Sequence, residues 1–290
     1  MIIGCTGNYR KKEFYSILEN IHNKFKIPNY KLLLSSDYLN KPIGKIPKSF
    51  EITDFDDVIV NSNIVFAIGG DGTILSTLRR MESNIKPILG IHIGGLGFLS
   101  ECSEENLTNK LNDIIDDKYK IITRTMLEAV VALPRKNKKI FRALNDFVVN
   151  QNSYSRIIKV KVNVSGEYLN TYESDGIIIS TPTGSTAYSL SAGGPIIEPS
   201  VNTLTVTPIC SHSLSARPII LDNNNILSLE FNKYDQDIAL SVDGQIRISI
   251  DNNNKLEIRK AKDLAQFISF KENGYFSTLR SKMGWAGNVR

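Results

Sequence analysis

Cysteine, histidine and tryptophan are scarce in this chain: three, three and one in 290 residues. Cys5, Cys102 and Cys210 are odd in number and far apart, which excludes a disulfide framework and fits a reducing cytoplasm. His22, His92 and His212 are isolated, so no histidine-based metal site is legible. No apolar run approaches the length needed to cross a bilayer. The first residues, Met1-Ile2-Ile3-Gly4-Cys5, lack the basic region of a secretory signal and read as a first β-strand. There is no Gly-x-x-x-x-Gly-Lys-Ser/Thr loop and no Gly-x-Gly-x-x-Gly after the first strand. A P-loop enzyme and an ordinary Rossmann dehydrogenase are thereby set aside. The net charge of +5 suits anionic small molecules and is too mild for nucleic acid. The basic run Arg135-Lys136-Asn137-Lys138-Lys139 lies between strand-like segments and reads as a solvated hairpin tip.

What is present falls into two patterns. Hydrophobic residues make up 41%, enough for well-packed cores. Up to about residue 118, strand-like and helix-like segments alternate: strands at 1–4, 31–34, 64–68 and 88–93, helices at 12–24, 73–81 and 104–115. Alternation of this kind predicts a mostly parallel sheet covered by helices. Beyond Tyr119, short runs rich in Val and Ile take over, at 126–133, 140–150, 157–164, 177–181, 204–208, 226–231, 238–242 and 245–250. Turn signals such as Ser165-Gly166-Glu167 separate them, and the gaps are too short for crossover helices. An all-β second domain is expected. The tail places Phe276, Leu279 and Met283 at helical spacing, and this face is expected to bury against the first domain. The expected division is 1–122 plus 271–290 as an α/β domain and 123–270 as an all-β domain.

Four segments carry chemistry. Gly69-Gly70-Asp71-Gly72-Thr73 joins an apolar strand to an amphipathic helix, a geometry that holds phosphate on backbone N–H groups and the helix dipole. Asp71 would repel that phosphate. It either accepts a proton from a nucleophile or helps hold a metal ion, or it merely caps the helix. The stretch 174–195 is dense in hydroxyls and glycines without Lys, Arg or Glu, and suits ribose and carboxamide groups; Tyr188 offers a face for a flat base. Leu144-Asn145-Asp146-Phe147 puts two polar residues inside a strand, on opposite faces. In Ser241-Val242-Asp243-Gly244-Gln245, Asp243 and Gly244 read as a hairpin turn, with Gln245 in reach of a ligand. Gly94-Gly95-Leu96-Gly97-Phe98 forms a further glycine turn after a strand.

On these residues the chain resembles the NAD kinase family. Gly69–Thr73 is similar to that family's Gly-Gly-Asp-Gly-Thr, which diacylglycerol and sphingolipid kinases share. The segment 175–195 resembles its longest signature almost residue for residue. The segments 94–99, 212–218, 241–245 and 279–285 match as well. The chain departs from the family in having Asn145-Asp146 where Asn-Glu is usual, which shortens the carboxylate by one methylene. It also has Glu173 where many bacterial members are basic. The resemblance implies a Rossmann-like α/β domain closed by the C-terminal helix, an all-β second domain, and NAD bound between them. It implies ATP-dependent phosphorylation of the adenosine ribose 2′-hydroxyl of NAD to NADP, a kinase (transferase) reaction with Asp71 as general base and Gly72 beside the new phosphate. Asn145, Asp146, Arg156, Asp175, Thr186, Ala187, Tyr188, Ser189, Leu190, Ser191 and Gln245 match its dinucleotide-binding positions. A divalent cation, usually magnesium, would neutralise the triphosphate. Polyphosphate as an alternative donor, a homodimer or homotetramer, and no nucleic-acid or membrane partner are further expectations. The rival readings are a lipid kinase, which would need an apolar channel, and a sensor that binds the dinucleotide without turnover.

Overall fold

The computed structural model describes residues 1–25, 29–40, 42–95, 97–132, 138–151, 157–232, 238–250, 255–270 and 274–285. Leu96, Arg156, most of the basic hairpin tip (135–137) and the turn at 251–253 lie outside them. The chain divides into two compact units, Met1–Thr123 with Ala265–Arg290, and Arg124–Leu264.

The first unit holds strands β1 (Ile2–Gly7), β2 (Lys31–Ser35), β3 (Phe50–Thr53), β4 (Ile64–Gly69), β5 (Ile88–His92), β6 (Cys102–Ser103) and β7 (Lys120–Arg124). Its helices are α1 (Lys12–Phe25), α2 (Phe55–Asn61), α3 (Asp71–Met81) and α4 (Leu107–Ile115), with a 3₁₀ turn at Ser36–Asn40. The strand order is β3-β2-β1-β4-β5, and these neighbours are parallel. All six residues of β4 are buried, as a central parallel strand requires. From α1, Phe14, Ile17, Leu18 and Ile21 recur at helical spacing and join Ile3, Cys5, Phe66 and Ile68 in one core. The order runs one way from β1 to β3 and the other way from β4 to β5. A crevice therefore opens beyond the carboxyl ends of β1 and β4.

The second unit holds β8 (Leu127–Ala132), β9 (Lys138–Ala143), β10 (Asp146–Gln151), β11 (Ile158–Val164), β12 (Glu167–Ser174) and β13 (Gly176–Ser180). A 3₁₀ turn (Thr183–Thr186) and the single-turn α5 (Tyr188–Ser191) follow. Then come β14 (Thr203–Ile209), β15 (Ile219–Asp222), β16 (Leu227–Phe231), β17 (Ile238–Val242), β18 (Ile246–Ile250) and β19 (Leu256–Lys260). They form two six-stranded sheets, β15-β14-β13-β10-β17-β18 and β12-β11-β16-β19-β8-β9. Phe147, Ile177, Ile179 and Leu240 of the first sheet share a core with Val160, Val162, Leu229 and Ile258 of the second, which makes a sandwich.

Two expectations are corrected. The expected boundary at residue 270 falls too late: β20 (Ala265–Ser269) lies between β5 and β7 in the sheet of the first unit, with Phe267 paired to Ile88. Four of its five residues are buried, so it reads as a central strand and carries no mark of which sheet it joins. In α6 (Tyr275–Met283), only Leu279 is buried, while Phe276 is 59% exposed. The spacing made a helix but not the buried face assigned to it.

Candidate functional site

The glycine turn follows from its flanks. β4 is too apolar to leave the core and ends at Gly69; Gly70 is extended, and α3 begins at Asp71. No side chain caps α3 at Gly70, so the capping reading of Asp71 fails. Instead the Asp71 carboxylate accepts the backbone N–H of Phe98 at 2.9 Å on Oδ2 and of Leu99 at 3.2 Å on Oδ1. Gly97 makes this approach possible, because a Cβ there would fall on the carboxylate. The second glycine turn is thus a seat for Asp71. Two N–H bonds leave further lone-pair positions on a carboxylate that accepts up to about four.

Gly72 and Thr73, which follow Asp71, line a crevice of about 450 Å³ at the carboxyl ends of β1 and β4, while the Asp71 side chain itself is turned to the 98–99 backbone. The crevice walls are the loop after β1 (Asn8 to Arg10) and one face of α3: Thr73, Ser76, Thr77 and Arg80 at spacings of three and four. The loop is anchored by the Asn8 N–H, which donates to the Ile68 carbonyl at 2.8 Å. A polar crevice at a strand-order reversal, with a helix start in its wall, suits a phosphorylated ligand.

The second unit carries its own cavity of about 300 Å³, lined by Asn145, Asp146, Val148, Asn150, Ala187, Tyr188, Ser241, Asp243, Gly244 and Arg247. Strand alternation builds its floor. Phe147 and Val149 point into the sandwich, which turns Asp146, Val148 and Asn150 to the opposite face of β10. Gly184 packs against the Asn145 backbone so closely that any side chain there would strike it. The contact is pinned by Thr181, whose N–H donates to the Asn145 carbonyl (2.9 Å) and whose hydroxyl donates to the Leu144 carbonyl (2.5 Å).

Asp243 does more than turn a hairpin. At φ +49° its carboxylate accepts the N–H groups of Leu144 (3.1 Å), Asn145 (2.7 Å) and Asp146 (3.2 Å). It fixes the backbone that presents Asn145 and Asp146. Asp146 is 3% exposed. Burial, and then the nearby Asp243 charge, push its carboxyl up to about 7. Its carboxyl can therefore donate as well as accept near neutral pH.

Of the residues expected to bind the dinucleotide, the structure brings Asn145, Asp146, Ala187 and Tyr188 into this cavity. Gln245 sits exposed at the adjoining hairpin. Ser189 is fully buried and shares a hydrogen bond with the Thr207 hydroxyl (3.1 Å), and the Thr186 hydroxyl bonds the Thr183 carbonyl. Leu190 is half-buried and Ser191 exposed, and neither lines the cavity. Asp175 stands at the other end of β13, six residues or about 20 Å from Thr181. Arg156 is outside the described residues. Glu173 pairs with Lys159 at 2.6 Å on the surface. Sequence reading missed Asn150, although it shares the face of Asp146 by period two. It also missed the clamp made by Asp243, which depends on a contact 97 to 99 residues away.

The whole chain superposes on a yeast NADH kinase solved with NADH, at a TM-score of 0.88 over 89% of that chain and 24% identity. An NAD kinase from Archaeoglobus fulgidus solved with ATP matches 99% of the chain and all of its own, at a TM-score of 0.77 and 23% identity. The chain therefore shares its fold with these two proteins. Family models agree: the ATP-NAD kinase N-terminal domain matches residues 13–119 and the C-terminal domain residues 144–270. An NAD kinase of Syntrophotalea carbinolica is 42% identical over 77% of the chain and 78% of its own length. One of Caldanaerobacter subterraneus is 40% identical over 86% and 88% respectively. The chain belongs to the NAD kinase family.

Proposed function

We propose that this chain transfers the γ-phosphoryl group of ATP to the adenosine ribose 2′-hydroxyl of NAD, giving NADP and ADP. The observation that carries the reading is Asp71, a carboxylate seated on two backbone N–H groups in the turn whose next residues, Gly72 and Thr73, line a polar crevice. As the hydroxyl oxygen forms its bond to phosphorus and the bridging oxygen leaves with ADP, Asp71 takes the hydroxyl proton. Gly72 and Thr73 line the crevice next to it and receive the phosphates. Asn145, Asp146, Ala187 and Tyr188 hold the dinucleotide through the second unit, with Tyr188 stacking on a base and Asp146 meeting ribose hydroxyls. Asp175, Thr186, Ser189, Leu190, Ser191, Gln245 and Arg156 belong to the same reading through the family match.

Magnesium comes with the triphosphate as MgATP. Among the described residues no group of three or more His, Cys, Asp and Glu side chains is placed to hold a metal. Mg²⁺ fits such a site because phosphate oxygens and water supply most of its ligands. The reading includes a cytoplasmic location, supported by free cysteines. It also includes a homodimer or homotetramer, supported by two exposed apolar side chains, Leu214 (93% exposed) and Ile220 on the edge strand β15. No described helix is long and apolar enough to cross a membrane.

The test is NADP formation by the pure protein with NAD, ATP and magnesium, with polyphosphate and diacylglycerol as alternative donor and acceptor. Tight NAD binding without turnover on any donor would favour the sensor reading, and phosphorylation of diacylglycerol the lipid kinase.

A further inference from the structure

The crevice beside Asp71 has two chemically different ends. The near end is Gly72 and Thr73 at the start of α3. The far end is Arg80, eight residues and about 12 Å further along the helix. There Arg80 donates from Nη1 to Asp37 Oδ2 at 2.5 Å and from Nη2 to Oδ1 at 3.4 Å. Its guanidinium lies 3.6 Å from the centroid of the Phe55 ring. Three elements build the group: the 3₁₀ turn at Ser36–Asn40, the first residue of α2, and the last turn of α3. The N-cap of α2, where Asp54 accepts the Asp57 N–H at 2.9 Å, fixes Phe55.

The arrangement decides what the far end accepts. A clamp for phosphate would leave the guanidinium charge uncompensated. Here a carboxylate neutralises it in a fork-to-fork pair, and the negative charge of Asp37 disfavours a phosphate alongside. Burial acts to raise the Asp37 pKa, but the hydrogen bonds and charge of Arg80 outweigh it, and the carboxyl lies below its ordinary value. The pair is thus ionised at neutral pH. One face of the guanidinium rests on Phe55, and Arg80 and Asp37 both line the crevice, so the pair offers its occupant a flat, nearly neutral platform. Guanidinium planes stack on bases.

We propose that Arg80, held by Asp37 and backed by Phe55, is the nucleobase platform of the phosphoryl-donor subsite, so that this end of the crevice selects a nucleoside triphosphate over an inorganic polyphosphate. The inference rests on the donor entering the crevice with its transferred phosphoryl group at Asp71. Arg80 touches the base; Asp37 is a positioning residue that acts through Arg80.

Two variants test it, each checked by thermal melt: Arg80→Lys keeps the charge and loses the plane, and Asp37→Asn loosens the clamp. Each should raise KM for ATP about tenfold, with KM for NAD within about twofold of wild type. Calorimetric binding of ATP to the whole protein should weaken in parallel, while binding of inorganic tripolyphosphate holds or tightens. An ATP KM that stays at the wild-type value in both folded variants overturns the platform. So does a fall in tripolyphosphate affinity that matches the fall for ATP, since Arg80 would then be a phosphate clamp. Failure of the wild-type protein to form NADP would sink the proposed function alone, and the two calorimetric titrations would still decide the platform.

Discussion

At the residue scale, Asp71 and Asp146 are both carboxylates in sites where an anion needs a reason to be. Asp71 has two backbone donors and an adjoining crevice, and Asp71→Asn keeps its shape without its basicity. Turnover at saturating NAD and ATP should fall roughly 10²–10⁴-fold with the melt little changed. A folded variant with near wild-type turnover would reduce Asp71 to a staple for residues 97–99. Asp146 has its ordinary value of 3.8 in the unfolded chain and about 7 in the folded one. Between those values the folded chain holds a proton that the unfolded chain has lost, so stability falls as pH rises through the window, and the loss is complete above about pH 7. Asp146→Asn removes the titration. Measured without ligand, its stability relative to wild type should climb from about pH 4 to pH 7 by up to a few kcal/mol and then level off. A difference independent of pH would show that Asp146 titrates like a solvated carboxylate.

At the scale of elements, periodicity located many strands and helices, but it missed β3, α2, β7, β12, β15 and β19, read 140–150 as one run where β9 and β10 part at Leu144–Asn145, and did not say which faces are covered. α6 is the clearest case. Phe276, Leu279 and Met283 have helical spacing, yet a single side chain, Leu279, is buried. Leu279→Ala should cost about 2–5 kcal/mol, and Phe276→Ala no more than about 0.5 kcal/mol. Denaturant melts of the two variants check this, and equal losses would restore the broad buried face. β20 makes the complementary point: its apolar run is visible in the sequence, but its partner is not. A strand buried on both faces has no alternation to reveal its neighbours.

At the scale of the molecule, each unit closes its own core: a mostly parallel sheet with helices in one, a sandwich of two antiparallel sheets in the other. Every strand from β8 to β19 pairs within the second unit. Residues 124–264 expressed alone should therefore melt cooperatively with a β-sheet circular dichroism spectrum. Residues 1–123 alone should not fold natively, because β20 is missing between β5 and β7. A natively folded 1–123 fragment, or an unfolded 124–264 fragment, would refute this division.

The sequence by itself determined the alternation of strand and helix up to residue 118, the all-β character after it, and the chemistry of the Gly69–Thr73 and 174–195 segments. These are local: a strand period, a helix period and a glycine turn are written in neighbouring residues. Tertiary structure decided what lies far apart in sequence. It seated Asp71 on the N–H groups of Phe98 and Leu99, 27 and 28 residues away, where sequence left it between base and cap. It made Asp243 the clamp of residues 144–146 and not only a turn, and it joined Asp37, Phe55 and Arg80 into one platform. It also parted Asp175 from Asn145 and Tyr188, which lie toward the other end of β13. The reason is common to all four: a side chain's role is set by the groups packed against it, and in a sheet those come from strands whose order the sequence pattern does not encode.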